Sequence, residues 1–178
     1  LRKRRPLTFP ELNLRTYVRF AGKPGVYFFS LDAASRRFVE FARMILRLPY
    51  YNAAMSMTHD SGWTAMSSIR TDRRGNSANL EVEYRPVSAS FQPETQSIEY
   101  FLTERYRVYA PASRLAVLVM DVHHRPWSIA RARSSIRENT IFGAAGLEVG
   151  ATPDLVHVAR RQDVLIWPPR LARIKGDA

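Results

Sequence analysis

Residues 11–20 alternate strictly between apolar and polar side chains, and this pattern constrains the fold more than any other feature of the chain. One face of the segment carries Leu12, Leu14, Thr16, Val18 and Phe20, and the other carries Glu11, Asn13, Arg15, Tyr17 and Arg19. A period of two predicts a β-strand. The polar face combines an acid, an amide, two guanidiniums and a phenol. It can face solvent or line a polar cavity, and the sequence leaves both open.

The composition predicts one globular domain. The chain has 178 residues, of which 46% are hydrophobic, so it can bury a core. It has no apolar run near the roughly 18 residues of a membrane helix and no signal-peptide pattern, so we expect no membrane association. The absence of cysteine excludes disulfides and thiolate sites and fits a cytoplasmic location. We expect a single domain over residues 1–178, with the basic residues 1–8 and the tail 169–178 peripheral.

The net charge of +11 is carried mainly by arginine. Among 27 basic residues the only lysines are Lys3, Lys23 and Lys175. A basic chain suggests nucleic acid or another polyanion as a partner. The arginines are nevertheless spread along the chain, with one cluster at residues 2–5 and otherwise short pairs. A compositional bias therefore explains the charge better, and nucleic-acid binding is kept as the alternative function.

Further along, the patterns predict many short strands and one long helix. A turn at residues 22–25 joins the first strand to an apolar run at 26–31. Helical spacing predicts a helix over about 33–46, capped by Asp32 or Ser35. The remaining predictions are strands near 52–59, 63–70, 80–85, 105–109, 114–123, 155–159 and 164–167, short helices at 97–102 and 138–145, and an ambiguous segment at 127–136. This indicates an α+β, mainly β fold with a mostly antiparallel sheet closed into a barrel.

Few residues carry a recognisable chemical pattern. There is no phosphate-binding glycine loop and no nucleophile elbow. The adjacent His123 and His124 would point to opposite faces of a strand, so we expect no metal site and no cofactor. Glu11 and Glu104 can serve as general acid or base if they are buried, although a carboxylate held by an arginine is the commoner arrangement.

Two aromatic segments complete the candidate site. Tyr50 and Tyr51 follow a helix-ending proline, so one ring is expected in the core and the other toward a cavity or solvent. Pro126 extends the chain between His124 and Trp127, which places both side chains where they can flank a pocket mouth. Packing of Trp127 on the core is the simpler alternative.

Five linked motifs resemble the bacterial YqjF-like family, whose function is unknown. They are Glu-Leu-Asn-Leu-Arg-Thr-Tyr-Val (11–18), Phe-Phe-Ser-Leu-Asp-Ala (28–33), Ala42-Arg43 with Leu-Pro-Tyr-Tyr-Asn-Ala (48–53), Phe-Leu-Thr-Glu-Arg-Tyr (101–106) and His-Arg-Pro-Trp (124–127). The resemblance covers residues 9–168 in order. The family is similar to the acetoacetate decarboxylase superfamily, which implies a cone-shaped antiparallel barrel around a ligand cavity. Members also carry an N-terminal segment that we expect this chain to lack.

The resemblance also bears on chemistry. Acetoacetate decarboxylases form a Schiff base on a lysine of lowered pKa. By similarity that lysine corresponds to the segment from Arg43 to Tyr51, where Tyr50 and Tyr51 stand in place of lysines. Glu11 is similar to the acidic residue that precedes the helix in those enzymes. The resemblance therefore implies a retained pocket without Schiff-base chemistry.

Three functions remain open: a small-molecule-binding or enzymatic barrel, a nucleic-acid-binding protein, and a non-catalytic interaction module. We favour the first, with an anionic or carboxylate ligand, because several arginines are expected to converge on the cavity. The sequence leaves open whether a reaction is catalysed. The candidate ligand-binding residues are Glu11, Asn13, Arg15, Tyr17, Arg43, Tyr50, Tyr51, Glu104, Arg105, His124 and Trp127.

The first strand gives a detailed expectation. Leu12, Leu14 and Val18 should pack on the helix, while the polar face of the strand lines the cavity. A buried Arg15 should then pair with a carboxylate of Glu11 or Glu104, and its truncation should cost about 3–5 kcal/mol.

Overall fold

The computed structural model describes residues 8–150 and 152–174, which are mainly β-strand with three helices. The helices are α1 (Arg36–Leu46), α2 (Ile98–Thr103) and α3 (Ile141–Ala144). The strands are β1 (Glu11–Phe20), β2 (Lys23–Ala33), β3 (Tyr50–Asp60), β4 (Trp63–Arg70), β5 (Asn79–Pro86), β6 (Arg107–Ser113), β7 (Ala116–His124), β8 (Ala130–Asn139), β9 (His157–Val158), β10 (Val164–Ile166) and β11 (Arg170–Arg173). Within the described ranges, no helix is long and apolar enough to cross a membrane.

The strands form a mixed sheet. Its order is β10-β7-β6-β2-β3-β4-β5-β8-β9, with β1 on β2 and β11 on β7. The expectation of an antiparallel sheet is corrected at β2, which runs parallel to β3 and to β6. The crossover through α1 permits the first of these pairings, because a connection of this length can return the chain in the same direction. The pairings of the described residues do not join β9 to β10, so they leave the sheet open and do not form the expected barrel.

β1 and β2 form a hairpin with a bulge. Ala21 and Gly22 have positive φ values of 47° and 74° at the turn, as a tight two-residue hairpin requires. The register shifts after Leu14, because Leu14 pairs with Ser30 while Arg15 pairs with Phe28. Phe29 is the extra residue. This bulge lets Phe28 and Leu31 contact the same core cluster although they are three residues apart.

The core has two clusters. The larger one joins β2, α1, β6 and β7 through residues such as Leu31, Val39 and Met120, and Tyr17 of β1 packs against it. Leu12 and Leu14 belong to the smaller cluster, around Ile141 of α3. The expectation that these leucines pack on α1 is therefore wrong. α1 covers the face of the hairpin that carries Tyr17, and alternation places Leu14 on the other face.

Asp32 does not cap α1. The residue before the helix is Ser35, whose side chain makes no capping hydrogen bond. Asp32 instead binds Arg70 through two hydrogen bonds, Nε to Oδ1 at 2.7 Å and Nη2 to Oδ2 at 3.0 Å. The side chains are 1% and 3% exposed. This buried ion pair ties the end of β2 to the end of β4.

The C-terminal part differs from expectation in two places. The ambiguous segment at 127–136 becomes β8, which pairs with β5. The expected solvated tail forms β11 over Arg170–Arg173, which is hydrogen-bonded to β7, so these residues are part of the sheet. The expectation for residues 1–8 falls outside the described residues except at Thr8, and the end of the tail at 175–178 also lies outside them.

Candidate functional site

A pocket of about 320 Å³ lies between the β1–β2 hairpin, α1 and the β6–β7 pair. Most of its wall is apolar and comes from residues of the larger core cluster and from β10. The polar lining residues are Glu11, Asn13, Arg15, Tyr50, Thr103, Arg105, Arg107, His124 and Trp127. The pocket therefore combines an apolar wall with a basic set of polar groups.

Seven of the eleven residues expected from the sequence line this pocket: Glu11, Asn13, Arg15, Tyr50, Arg105, His124 and Trp127. The other four do not line it. Tyr17, Arg43 and Glu104 contact residues that do, and Tyr51 is only the sequence neighbour of Tyr50. The alternation of β1 accounts for three of the seven, because Glu11, Asn13 and Arg15 share one face of the strand.

Glu11 and Tyr50 are linked directly. The Tyr50 hydroxyl donates a hydrogen bond of 3.0 Å to Oε2 of Glu11. Burial raises the pKa of the Glu11 carboxyl, and the hydrogen bonds from Tyr50 and Asn13 offset part of this rise. Burial and the neighbouring carboxylate raise the pKa of Tyr50. The phenol therefore keeps its proton and Glu11 accepts the bond.

Arg15 is bound to a helix end and not to a carboxylate. Its Nη2 donates to the Leu102 carbonyl at 3.1 Å, and the Tyr17 hydroxyl donates to the same oxygen at 2.9 Å. Leu102 lies in the last turn of α2, where carbonyls lack intrahelical partners. Arg15 is exposed and has no ion pair among the described residues. This corrects the expected pairing with Glu11 or Glu104.

Arg105 also lacks a carboxylate partner within the described ranges. Its Nη1 donates to the Glu104 carbonyl at 2.8 Å, and its guanidinium lies 4.1 Å from the ring centre of Phe101. The Nε of Arg105 and the indole nitrogen of Trp127 are both buried without a hydrogen-bond partner. The positive charge of Arg105 is therefore held by aromatic and carbonyl contacts only.

Glu104 has a positioning role beside the pocket. It is 7% exposed and accepts hydrogen bonds from the Trp127 backbone N–H, at 3.0 Å, and from the Tyr106 hydroxyl. The bond to Glu104 raises the pKa of Tyr106 to about 12. The Tyr106 ring stacks on His124 with 4.6 Å between ring centres. Glu104 thus fixes Trp127 and, through Tyr106, His124.

Tyr51 and Arg43 lie behind the pocket. Tyr51 follows Tyr50 on β3 and points to the other face, where the Arg70 guanidinium lies 4.2 Å from its ring centre. Arg43 donates to the Tyr50 carbonyl at 2.7 Å. These residues hold β3 in place.

The sequence does not predict that Arg107 and residues of β10 line the pocket. Arg107 is two positions from Arg105, and this spacing is the one sequence feature that suggests a shared face. Its Nε donates to Asp121 Oδ1 at 2.9 Å. In the described part of the chain, no group of three or more His, Asp or Glu side chains is arranged to hold a metal ion.

Comparison with known proteins gives a family and a fold. Residues 3–163 match the DUF2071 family, described as an uncharacterized conserved protein. The uncharacterized protein YqjF of Bacillus subtilis (strain 168) is 43% identical over 162 residues, which are 91% of this chain and 66% of that protein. The chain thus spans slightly less than two thirds of that relative.

Three solved structures are similar. Acetoacetate decarboxylase from Legionella pneumophila (subsp. pneumophila str. Philadelphia 1) aligns with a TM-score of 0.59 at 10% identity, covering 93% of this chain and 67% of that one. A second acetoacetate decarboxylase structure gives 0.56 at 13% identity, with 93% and 68% covered. The enduracididine biosynthesis enzyme MppR complexed with pyruvate gives 0.50 at 12% identity, with 92% and 66% covered. The structural matches show a fold like that of acetoacetate decarboxylase, and the sequence match shows that this chain belongs to the DUF2071 family.

Proposed function

We propose that the pocket binds a small organic carboxylate without forming a Schiff base. The observation that carries the proposal is the presence of two guanidiniums, Arg15 and Arg105, in the pocket lining with no carboxylate partner among the described residues. An arginine fork matches a carboxylate in shape and charge, so an incoming ligand can provide the missing partner.

The charge of the lining favours an anion. Asp121 balances the charge of Arg107, whereas no carboxylate among the described residues pairs with Arg15 or Arg105. Glu11 is the one carboxyl group in the lining, and burial raises its pKa. A carboxyl group that is more readily protonated repels an anionic ligand less.

The size and wall of the pocket favour a small ligand. Its volume of about 320 Å³ is at the low end of the range of about 300–1,000 Å³ typical of ligand sites. Leu31, Val108 and Met120 supply apolar contact area behind the polar groups. The solved structure of MppR holds pyruvate, a small carboxylate, in a similar fold, and this supports the same ligand class here.

The lining contains no lysine. Lys23 is the one lysine in the described ranges, and it lies by a different pocket. Tyr50 occupies the place where the resemblance puts a lysine, and burial raises its pKa, so the hydroxyl stays protonated and cannot replace a nucleophilic amine. We therefore propose that the pocket binds its ligand, or supports a reaction, without forming an imine. The absence of cysteine supports a cytoplasmic setting for it.

Nucleic-acid binding has less support. Three exposed arginines, Arg131, Arg133 and Arg137, lie along β8, but Arg137 donates to both Glu81 and Glu83 on the neighbouring strand. Acidic side chains within the row weaken attraction to a phosphate backbone.

The test is calorimetric titration with pyruvate and with acetoacetate, on the wild type and on Arg15→Gln. Loss of a charge-assisted hydrogen bond should weaken binding about tenfold or more. Arg19→Gln is the matched control, because Arg19 lies on the same face of β1 but outside the pocket. Since Arg15 is exposed, its replacement should lower stability by less than about 1 kcal/mol. Absence of binding by the wild type, or equal losses in both variants, would refute the proposal.

A further inference from the structure

We propose a second anion site, on the outer face of β6 and β7, that binds the phosphate group of a small phosphorylated molecule with an apolar body. It is a pocket of about 470 Å³ between the turn of the β1–β2 hairpin and β11. The residues on which the proposal rests are Phe20, Lys23, Arg107, Tyr109, Arg170 and Arg173.

The two pockets use opposite faces of the same strand pair. Val108 pairs with Met120, and both line the carboxylate pocket. Tyr109 pairs with Val119, and both line the second pocket. Because neighbouring residues of a strand point to opposite faces, these two pairs face different pockets. Arg107 is the one residue that lines both pockets, and the other groups on which the second site rests lie outside the first.

The charge of the second pocket exceeds what one carboxylate ligand can balance. Four cationic side chains line it, and Asp121, which is not in the lining, is shared by Arg107 at 2.9 Å and Arg170 at 3.5 Å. Neither Lys23 nor Arg173 has an ion pair in the described part of the chain. A phosphate ester carries a charge of about −1.5 to −2 and three acceptor oxygens, which suits such a cluster.

The aromatic wall of the second pocket is the reason to propose a ligand with an apolar part beside its phosphate. The rings of Phe20 and Tyr109 lie 5.7 Å apart between centres. The Tyr109 hydroxyl donates to the Lys23 carbonyl at 3.0 Å, and the ring lies directly on the backbone of Gly25. Tyr109 is 4% exposed, so its position is fixed before a ligand arrives. A preformed aromatic wall beside a cationic cluster fits a phosphate attached to a ring or an alkyl group.

The experiment is calorimetric titration of the wild-type chain with phenyl phosphate at low salt, at a pH where the phosphate is a dianion. Benzyl alcohol tests the apolar part alone, and inorganic phosphate tests the charge alone. We expect phenyl phosphate to bind more tightly than either. Lys23→Gln and Arg173→Gln should each weaken its binding about tenfold, since each removes a charge-assisted hydrogen bond. Both side chains are exposed, so both variants should fold.

Arg133→Gln is the control for overall charge, because Arg133 is an exposed arginine on β8, away from this pocket. An equal loss in Arg133→Gln would show unspecific attraction and overturn the proposal. The proposal would also be overturned if the wild type did not bind phenyl phosphate, or if Arg15→Gln lost this binding. Intact phenyl phosphate binding in Arg15→Gln supports a separate site, whatever the outcome for pyruvate.

Discussion

The Tyr50 hydroxyl and the Glu11 carboxylate join the first residue of β3 to the first residue of β1 by a hydrogen bond of 3.0 Å. The bond lies in the lining of the carboxylate pocket. It partly offsets the effect of burial on the Glu11 pKa, which nevertheless stays above its ordinary value of 4.5. The protonation state of Glu11 is thereby coupled to the relative position of β1 and β3.

The first prediction follows from this raised pKa. Between the unfolded and the folded pKa of Glu11, the native state binds more protons than the unfolded state, so stability falls as the pH rises through that interval. Glu11→Gln cannot lose a proton and removes this fall. Relative to the wild type, the variant should therefore gain stability as the pH rises above the ordinary Glu11 pKa of 4.5. Urea unfolding at a series of pH values measures the difference, with the exposed Glu148→Gln as control. A difference that does not change with pH would contradict the prediction.

The second prediction concerns the buried ion pair of Asp32 and Arg70. Asp32→Ala leaves the Arg70 guanidinium buried without its carboxylate, and this should cost about 3–5 kcal/mol in the free energy of unfolding. Asp163→Ala removes the partner of Arg161 in a pair whose side chains are about 80% exposed, and it should leave the urea midpoint unchanged. Similar losses in the two variants would show that the burial of the first pair has no energetic consequence.

The third prediction concerns Gly25. A Cβ atom at this position would lie 2.5 Å from Cε2 of Tyr109 and 2.8 Å from the Arg107 carbonyl oxygen. Backbone cannot move aside as a flexible side chain can, so Gly25→Ala should cost about 1–3 kcal/mol. Gly143→Ala is the control, because nothing lies within 4 Å of a Cβ there. Gly143 is helical, so alanine should stabilise by about 0.4–1 kcal/mol. Thermal unfolding of the two variants should thus shift in opposite directions.

The fourth prediction concerns covalent chemistry. Incubation with acetoacetate and borohydride should leave the intact mass of the protein unchanged, because no lysine lines the carboxylate pocket. A stoichiometric adduct, located on any lysine by peptide mapping, would contradict this and would reopen the decarboxylase mechanism.

The hairpin shows how far sequence reasoning reaches. Alternation in β1 is enough to place Glu11, Asn13 and Arg15 on one face, because strand geometry is local. The bulge at Phe29 arises from the pairing between β1 and β2, and no local sequence pattern predicts it. For the same reason the sequence could not show which core cluster receives Leu14.

The ion pairs depend on distance in space and are harder to predict. The sequence marks Asp32 as a helix cap because it stands directly before the predicted helix at about 33–46, whereas tertiary contact joins it to Arg70, 38 positions away. The sequence predicts a carboxylate partner for a buried Arg15, but Arg15 is exposed and donates to the Leu102 carbonyl. The parallel pairings of β2 with β3 and β6 are likewise long-range, and the periodicity of a single segment does not predict its partners.

The parallel contact of β2 with β6 has a consequence for how fast the chain folds. Val26 pairs with Val108, about 80 residues away in the sequence, while the β1–β2 and β3–β4 hairpins form from neighbouring residues. Closing so long a loop costs conformational entropy before its contacts can repay it. The hairpins are therefore expected to form early and the joining of β2 to β6 late. Until that step, Val26 and Val108 remain exposed. The folding intermediate therefore presents apolar side chains and unpaired strand edges that can aggregate during the slowest part of folding.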